Sequence, residues 1–395
     1  MPPWAEVLIA GAGALACALL WAAAALLHLR RLRLPRRHRT GPVTLILPLT
    51  GAAPGLEALF AALAAQTLAP RRLLVAVESE EDPAAARARA LAPLLPCPLE
   101  VVLAGRSDRR AQKNTNLLAA LARLDGREGC VVLLDADIRP QPWWLSALAT
   151  PVLDGEAALV TGYRWPLLDR AGPVPLLVAW LDRTIALLPK LRRLRVVWGG
   201  SLAIAPRALP ALDLPRLLDR TLSDDLSIGA RAAEAGLRVL TRRALLLPTP
   251  TEGSARAVFA FMRRQLQLIR LYRPGWWWGA AVAVHAALAS WAWLAALAIA
   301  GSAPALALLA AVSACGAVRW RAMAAVGCRI GVADPPGGRA ALLALALLPP
   351  LPEGFLCALL WASARTRRIR WRHVEYEVRG PDDVRVARRF AHARA

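Results

Sequence analysis

Acidic residues are scarce in this 395-residue chain: 28 Asp and Glu stand against 50 Lys and Arg, for a formal net charge of +22. The six cysteines (Cys17, Cys97, Cys130, Cys315, Cys328 and Cys357) include no Cys-x-x-Cys pair and have no histidine at ligand spacing. That excludes a disulfide framework and a zinc site, and the thiols read as small buried residues in a reducing compartment. There is no internal repeat, which leaves no ground for a repeat architecture.

Charge is also missing from two long stretches. Val7 to Leu29 holds no formally charged residue, and Pro274 to Val318 holds no Asp, Glu, Lys or Arg. A helix of about 20 apolar residues crosses a bilayer core, so the first stretch predicts one span and the second a hairpin of two, turning at "AGSAPA", Ala300 to Ala305. No basic residue precedes the first stretch and the cluster "RRLRLPRRHR" (Arg30 to Arg39) follows it, which argues against the alternative of a cleaved signal peptide and leads to the expectation that the following chain lies inside. A third apolar stretch, Ala340 to Ala364, is broken by "PPLPEG" (Pro349 to Gly354). A full crossing there would put the basic "RTRRIRWRH" (Arg365 to His373) outside, so the expectation is a re-entrant or interfacial pair of half-helices. The positive charge flanks apolar runs and is not striped among aromatics on a soluble domain, which argues for a membrane and against nucleic acid as the partner.

What is present between these segments is an alternation. "VTLILPLTG" (Val43 to Gly51) reads as a buried strand, "LEALFAALAAQ" as an amphipathic helix, and "RRLLVAVESEEDP" and "LEVVLAG" as strands. "NTNLLAALARL" follows as a helix and "CVVLLDADI" as a fourth strand, so the class is α/β with a mainly parallel sheet. Ligands gather at the carboxyl ends of such strands. Acids cluster there: Glu78, Glu80, Glu81 and Asp82 after the second strand, Asp135 and Asp137 after the fourth.

Two carboxylates at i and i+2 offer hard oxygen ligands for Mg²⁺ or Mn²⁺, and such an ion can neutralise a diphosphate leaving group. "LSDDLSIGARAAEAGLRVL" (Leu222 to Leu240) predicts a helix capped by Ser223, with Leu226, Gly229, Ala230 and Ala233 on one face and Gly236 past its end. Two adjacent aspartates exceed what a cap needs, which suits Asp225 as a general base toward an acceptor hydroxyl. Each feature also has an ordinary alternative: a turn at Asp135, a capped helix at Asp224, a solvated lysine on a loop at Lys113. "RRQLQLIRLYRP" (Arg263 to Pro274) reads as a basic interfacial helix, and Trp276, Trp277 and Trp278 suit the headgroup region. His285 is assigned no role.

The blocks "VAVESEEDPA" (Val75 to Ala84), "AQKNTNL" (Ala111 to Leu117), "LLDADI" (Leu133 to Ile138), "WGGSLAI" (Trp198 to Ile204) and "LSDDLSIGARAAEAG" resemble, in order and spacing, the inverting glycosyltransferases of family 2 and its relatives. More narrowly they are similar to the ceramide glucosyltransferase family, which includes bacterial hopanoid-associated enzymes. The resemblance implies a GT-A-like fold over 40–273, between an anchor at 1–39 and a membrane region at 274–364, with a basic cytoplasmic tail at 365–395. It implies Glu78, Asp82 and Lys113 around a nucleotide-sugar donor, Asp135 and Asp137 on a divalent cation (Mg²⁺ or Mn²⁺), and Asp225, with Asp224 beside it, as the catalytic pair. Gln267 and Arg270 fall on the family's Q/R-x-x-R-W motif. Two positions depart from the pattern: Ser79 stands where the family has an aspartate, and Leu271 where it has tryptophan.

The implied activity is transfer of N-acetylglucosamine or glucose from a UDP-sugar to a lipid hydroxyl at the bacterial inner membrane, with the catalytic domain cytoplasmic. A hopanoid acceptor is favoured by the Ala/Arg-rich composition, and ceramide comes next. A processive polysaccharide synthase and a non-catalytic membrane scaffold are the rival readings. The few spans and Leu271 count against the first, and the absence of repeated hydrophobic segments counts against a transporter subunit.

Overall fold

The structure is a computed structural model that describes residues 3–35, 39–168, 172–188, 196–251 and 254–391. Arg36, Arg37 and His38 of the expected basic flank, and residues 392–395 of the expected tail, lie outside the described residues. The chain divides into two compact units that interleave along the sequence.

One unit carries the α/β sheet. Its strands are β1 (Val43–Pro48), β2 (Arg72–Val77), β3 (Leu99–Leu103), β4 (Cys130–Leu134), β5 (Leu159–Pro166), β6 (Ser201–Ile204) and β7 (Val239–Thr249), in the order β3-β2-β1-β4-β6-β5-β7. The pairs β1–β2, β2–β3 and β1–β4 are parallel, with Ile46 beside both Leu74 and Leu133, whereas β6 runs antiparallel to β4 and β5. Covered on both faces, β1, β2 and β4 are predominantly apolar and buried, with Thr44 in β1 and Arg72 at the start of β2 as the polar exceptions, as expected of central parallel strands. The mainly parallel sheet matches the expectation from alternation; the antiparallel β6 comes from the "WGGSLAI" block, which had no strand assignment.

The helices of this unit are α2 (Leu56–Ala64), α3 (Pro83–Leu91), α4 (Gln112–Leu121) and α5 (Trp144–Leu153), of which α4 packs on β1, β2 and β3 while α5 packs on β4, β6 and β7. The single-turn α7 (Leu209–Leu212) and α8 (Leu214–Leu217) precede α9 (Asp224–Glu234). α9 starts at Ser223, whose Oγ accepts from Leu226 N, and ends in a left-handed Gly236 (φ +67°) with Leu237 N bonded to Ala232 O. Its inward stripe is Asp224, Ser227, Ile228, Gly229 and Ala232. Of the predicted stripe, Gly229 is buried, Leu226 and Ala230 are half-buried and Ala233 is exposed, while Asp224 takes a buried place on the inward face.

Most of the stretch expected as a tail folds into an antiparallel meander of β8 (Arg368–Trp371), β9 (Val374–Gly380) and β10 (Asp383–Arg389), in the order β10-β9-β8, within this same unit. The β8–β9 turn places Arg372 at φ +55°. Ile369, Val374, Tyr376, Val378 and Val384 are all buried.

The second unit is helical: α1 (Pro3–Arg31), α6 (Pro173–Leu187), α10 (Ala255–Tyr272), α11 (Pro274–Ile299), α12 (Ala303–Arg329), α13 (Pro336–Leu347) and α14 (Pro350–Ala364). Among the described residues, Gly11–Arg31, α11 and α12 are long and apolar enough to cross a membrane, and α13 and α14 form a pair bent by 84°. The α11–α12 turn uses Gly301 at φ +90° and a cap in which Ser302 Oγ accepts from Ala305 N. At Gly316 a Cβ would fall 1.9 Å from Ala346 O, so α12 and α13 approach closely through a missing side chain, a familiar device of membrane helix packing. A buried Arg183 donates to both oxygens of Asp334 at 2.7 Å and to Pro166 O, and stacks over Trp165.

Candidate active site

Three segments distant in sequence converge on one lysine. β4 ends at Leu134 and delivers Asp135 into the following turn, where Asp135 N donates to Gly200 O. α9 delivers Asp224 at its first position, and α4 delivers Lys113 in its first turn. Lys113 Nζ lies 2.9 Å from Asp135 Oδ1 and 3.1 Å from Asp224 Oδ2. Lys113 is therefore no loop lysine: its side chain is 16% exposed and bridges two carboxylates. The start of α4 is tied to the segment before α9, since Ala111 N and Asn114 Nδ2 both donate to Thr221 O.

Glycine makes room for the cluster. A Cβ at Gly199 would fall 2.5 Å from Asp224 Oδ2, and one at Gly200 would fall 2.3 Å from the Trp198 ring and 2.9 Å from Asp135 Oδ2. The Trp198 ring, 6.0 Å from that of Tyr163, is thus folded over the glycine pair beside Asp135.

The electrostatics follow from burial and an excess of negative charge. Burial opposes the Lys113 ammonium, but Asp135 and Asp224 outweigh it and raise its pKa. Burial pushes the Asp224 carboxyl up to about 6; Lys113 opposes this, while Asp225 and Asp135 add to it. Asp225 is half-buried, and its Oδ1 accepts from Ser223 Oγ at 2.6 Å and from Leu226 N at 2.8 Å. These donors hold that carboxylate at the mouth of α9, where the helix dipole favours its charge. Asp137 lies in the turn two residues beyond Asp135 and is half-buried.

Carboxylate oxygens with room for phosphate and water suit Mg²⁺ or Mn²⁺, and the donor chemistry of Asp135 and Asp137 fits such an ion. Among the described residues no three His, Cys, Asp or Glu side chains converge as a ready metal cage, and here Lys113 supplies the positive charge between Asp135 and Asp224. A hard cation that keeps several waters and a substrate diphosphate needs only one or two protein carboxylates.

The other expected donor residues are engaged elsewhere. Glu78 is 2% exposed: its Oε2 accepts from His373 Nε2 at 3.0 Å and from Arg389 Nη1 at 2.9 Å, and its Oε1 pairs with Arg106. Burial works against its charge, but Arg106, His373 and Arg389 prevail and hold it below the usual carboxylate range. Asp82 is 1% exposed and caps α3, with its Oδ1 accepting from Gly51 N at 2.8 Å and Ala84 N at 3.0 Å. Glu78 and Asp82 are thus both buried and hydrogen-bonded within the protein at the end of β2. Gln267 and Arg270 belong to the helical unit, where Gln267 Nε2 and Arg270 Nη2 both donate to Thr366 O.

Sequence reading missed Trp371, His373, Tyr376 and Arg389. Lys113 Nζ lies 6.0 Å from the Trp371 ring centroid. The alternation Val374-Glu375-Tyr376-Glu377-Val378 was the available signal for a strand there.

The model of Glycosyl transferase family 21 matches residues 12–383. A solved mannosyltransferase from Pyrobaculum calidifontis, in complex with GDP-Man and Mn²⁺, is 19% identical, with 91% of this chain and 97% of that chain covered and a TM-score of 0.46. Glucosyl-3-phosphoglycerate synthase from Mycobacterium tuberculosis, in complex with Mn²⁺, UDP and glucosyl-3-phosphoglycerate, is 18% identical over 58% of this chain and 79% of that one, with a TM-score of 0.37. No curated protein sequence matches the chain.

Proposed function

We infer that this chain, which belongs to Glycosyl transferase family 21 and is a glycosyltransferase, moves a sugar from a nucleoside diphosphate sugar to the hydroxyl of a membrane lipid, inverting the anomeric carbon. The observation that carries this reading is the convergence of Asp135, Lys113 and Asp224 at the carboxyl end of β4, with Asp225 beside them at the start of α9.

In this reading Asp225 accepts the proton of the acceptor hydroxyl as its oxygen bonds to the anomeric carbon. The bond from that carbon to the diphosphate oxygen breaks, and the nucleoside diphosphate leaves with the electron pair. Ser223 Oγ and Leu226 N, bonded to one oxygen of Asp225, aim the carboxylate. Asp224 holds Lys113, whose ammonium faces the charge that develops on the leaving phosphate. Asp135 and Asp137 would hold Mg²⁺ or Mn²⁺, which when bound neutralises that diphosphate.

The donor is a UDP-sugar carrying N-acetylglucosamine or glucose, and the acceptor is a hopanoid, with ceramide next. The apolar helices support a membrane location, here read as a bacterial inner membrane, and the arginines around the end of α1 support a cytoplasmic catalytic unit. The test is a mass-spectrometric lipid profile of cells with the gene, without it, and carrying Asp225→Ala. A lipid heavier by one hexosamine or hexose that vanishes in both altered strains is expected. An unchanged profile after deletion, or full restoration by Asp225→Ala, would overturn the reading.

A further inference from the structure

The first turn of α4 carries Lys113, yet nothing local caps it: Ala111, at the N-cap position, offers no side-chain acceptor. The acceptor comes from 264 residues downstream, where the Tyr376 hydroxyl takes the hydrogen bond of Gln112 N at 2.9 Å with both groups buried. Arg389 Nη2 donates to Gln112 Oε1 at 3.2 Å, and Gln112 Nε2 donates to Gly105 O and Asn116 Oδ1. The residue next to Lys113 is therefore held at both its backbone and its side chain, with β9 and β10 supplying one contact to each. The meander is itself clamped. His373 and Arg389 meet Glu78, Val386 N donates to Asp108 O at 2.8 Å, and Thr50 Oγ1 lies 3.4 Å from His373 Nδ1. Burial pushes the Tyr376 hydroxyl up to about 12, so it stays a neutral acceptor through the physiological range.

We propose that the C-terminal meander is the positioning element of the catalytic cluster, with Tyr376 and Arg389 holding Gln112 so that Lys113 spans Asp135 and Asp224. This rests on the glycosyltransfer reading for its consequence in turnover, though not for the contacts themselves. Tyr376 and Arg389 act through Gln112 and are positioning residues. Their loss loosens the turn that aims the lysine, and small displacements of a charged group in a catalytic site are costly to rate.

The experiment uses the full-length chain in lipid nanodiscs with Tyr376→Phe, which keeps the ring and removes only the capping oxygen, and Arg389→Lys as second variant. Amide exchange over 112–115 and transfer from a UDP-sugar are measured on the same preparations. In Tyr376→Phe, exchange in the first turn of α4 is expected to rise about tenfold while β9 keeps its protection, and kcat is expected to fall about tenfold with donor KM little changed. Unchanged exchange at 112–115 overturns the proposal, as does unchanged kcat despite faster exchange. If Tyr376→Phe does not fold, the same comparison is made on Arg389→Lys, with the same two overturning results. A wild-type chain that transfers no sugar would overturn the functional reading alone, and exchange at 112–115 would then decide the positioning claim.

Discussion

The ammonium of Lys113 lies 3.1 Å from a carboxylate oxygen of Asp224, whose side chain is only 3% exposed. Breaking a buried pair by removing one partner strands the other charge, at a cost of about 3 kcal/mol or more. Lys113→Met is expected to lower denaturant stability of the α/β unit by about that much and to abolish transfer; Lys113→Arg is expected to keep most of the stability. Equal stability of wild type and Lys113→Met would contradict the pairing.

Gly199 and Gly200 have no unusual φ, so their role is steric. In Gly199→Ala the new methyl would meet Asp224 Oδ2 at 2.5 Å, a carboxylate on a short side chain pinned by Lys113. Transfer is expected to fall at least tenfold, with expression retained, in initial-rate assays. Gly200→Ala, which meets both Trp198 and Asp135, is expected to be the more damaging of the two.

Glu78 titrates below the ordinary carboxylate value of 4.5 because Arg106, His373 and Arg389 outweigh its burial. A depressed folded value means the group contributes its full stability above the ordinary value and loses it as the pH falls through the folded one. Melting temperature is therefore expected to drop below about pH 4.5 in the wild type. Glu78→Gln is expected to melt lower at neutral pH and to show a shallower acid limb. Parallel pH profiles for the two would contradict the anchor role.

Arg183 and Asp334 form a bidentate pair in which the arginine side chain is 0% and the aspartate 8% exposed. Asp334→Ala leaves a buried guanidinium that, among the described residues, is bonded to Pro166 O, and is expected to destabilise the helical unit by about 3–5 kcal/mol. Asp334→Asn, which keeps one acceptor, should lie between. Thermal unfolding in detergent ranks the three.

Chelation is the check on the cation. EDTA is expected to stop transfer and Mn²⁺ or Mg²⁺ to restore it, with Asp137→Asn needing a higher cation concentration for half-maximal rate. Undiminished turnover in EDTA would remove the cation from the mechanism.

Much of the fold was legible because its signals are local. Buried parallel strands write themselves as nearly unbroken apolar runs such as Val43–Pro48 or Cys130–Leu134, and Ser223 announces α9 as a cap does. The apolar stretches at 7–29 and 274–318 marked helices that the structure contains as α1, α11 and α12, since only length and apolarity are needed for such a segment. The inward face of α9 was only partly legible: the stripe of Leu226, Gly229, Ala230 and Ala233 includes the buried Gly229 but also the exposed Ala233, and it leaves out Asp224, which is buried in its ion pair with Lys113.

By itself, then, the sequence determined the strand-helix alternation, the apolar helices and the acids at strand ends, all properties of neighbours within a few residues. Tertiary structure alone decided what those acids do. Glu78 and Asp135 follow β2 and β4, the strands on either side of β1, by the same local rule, yet Glu78 anchors His373 and Arg389 while Asp135 meets Lys113. That difference depends on where residues 295 and 311 positions further along the chain come to rest. No local pattern encodes it, because an ion pair or a cap needs only a complementary group within about 3 Å, whatever the sequence distance.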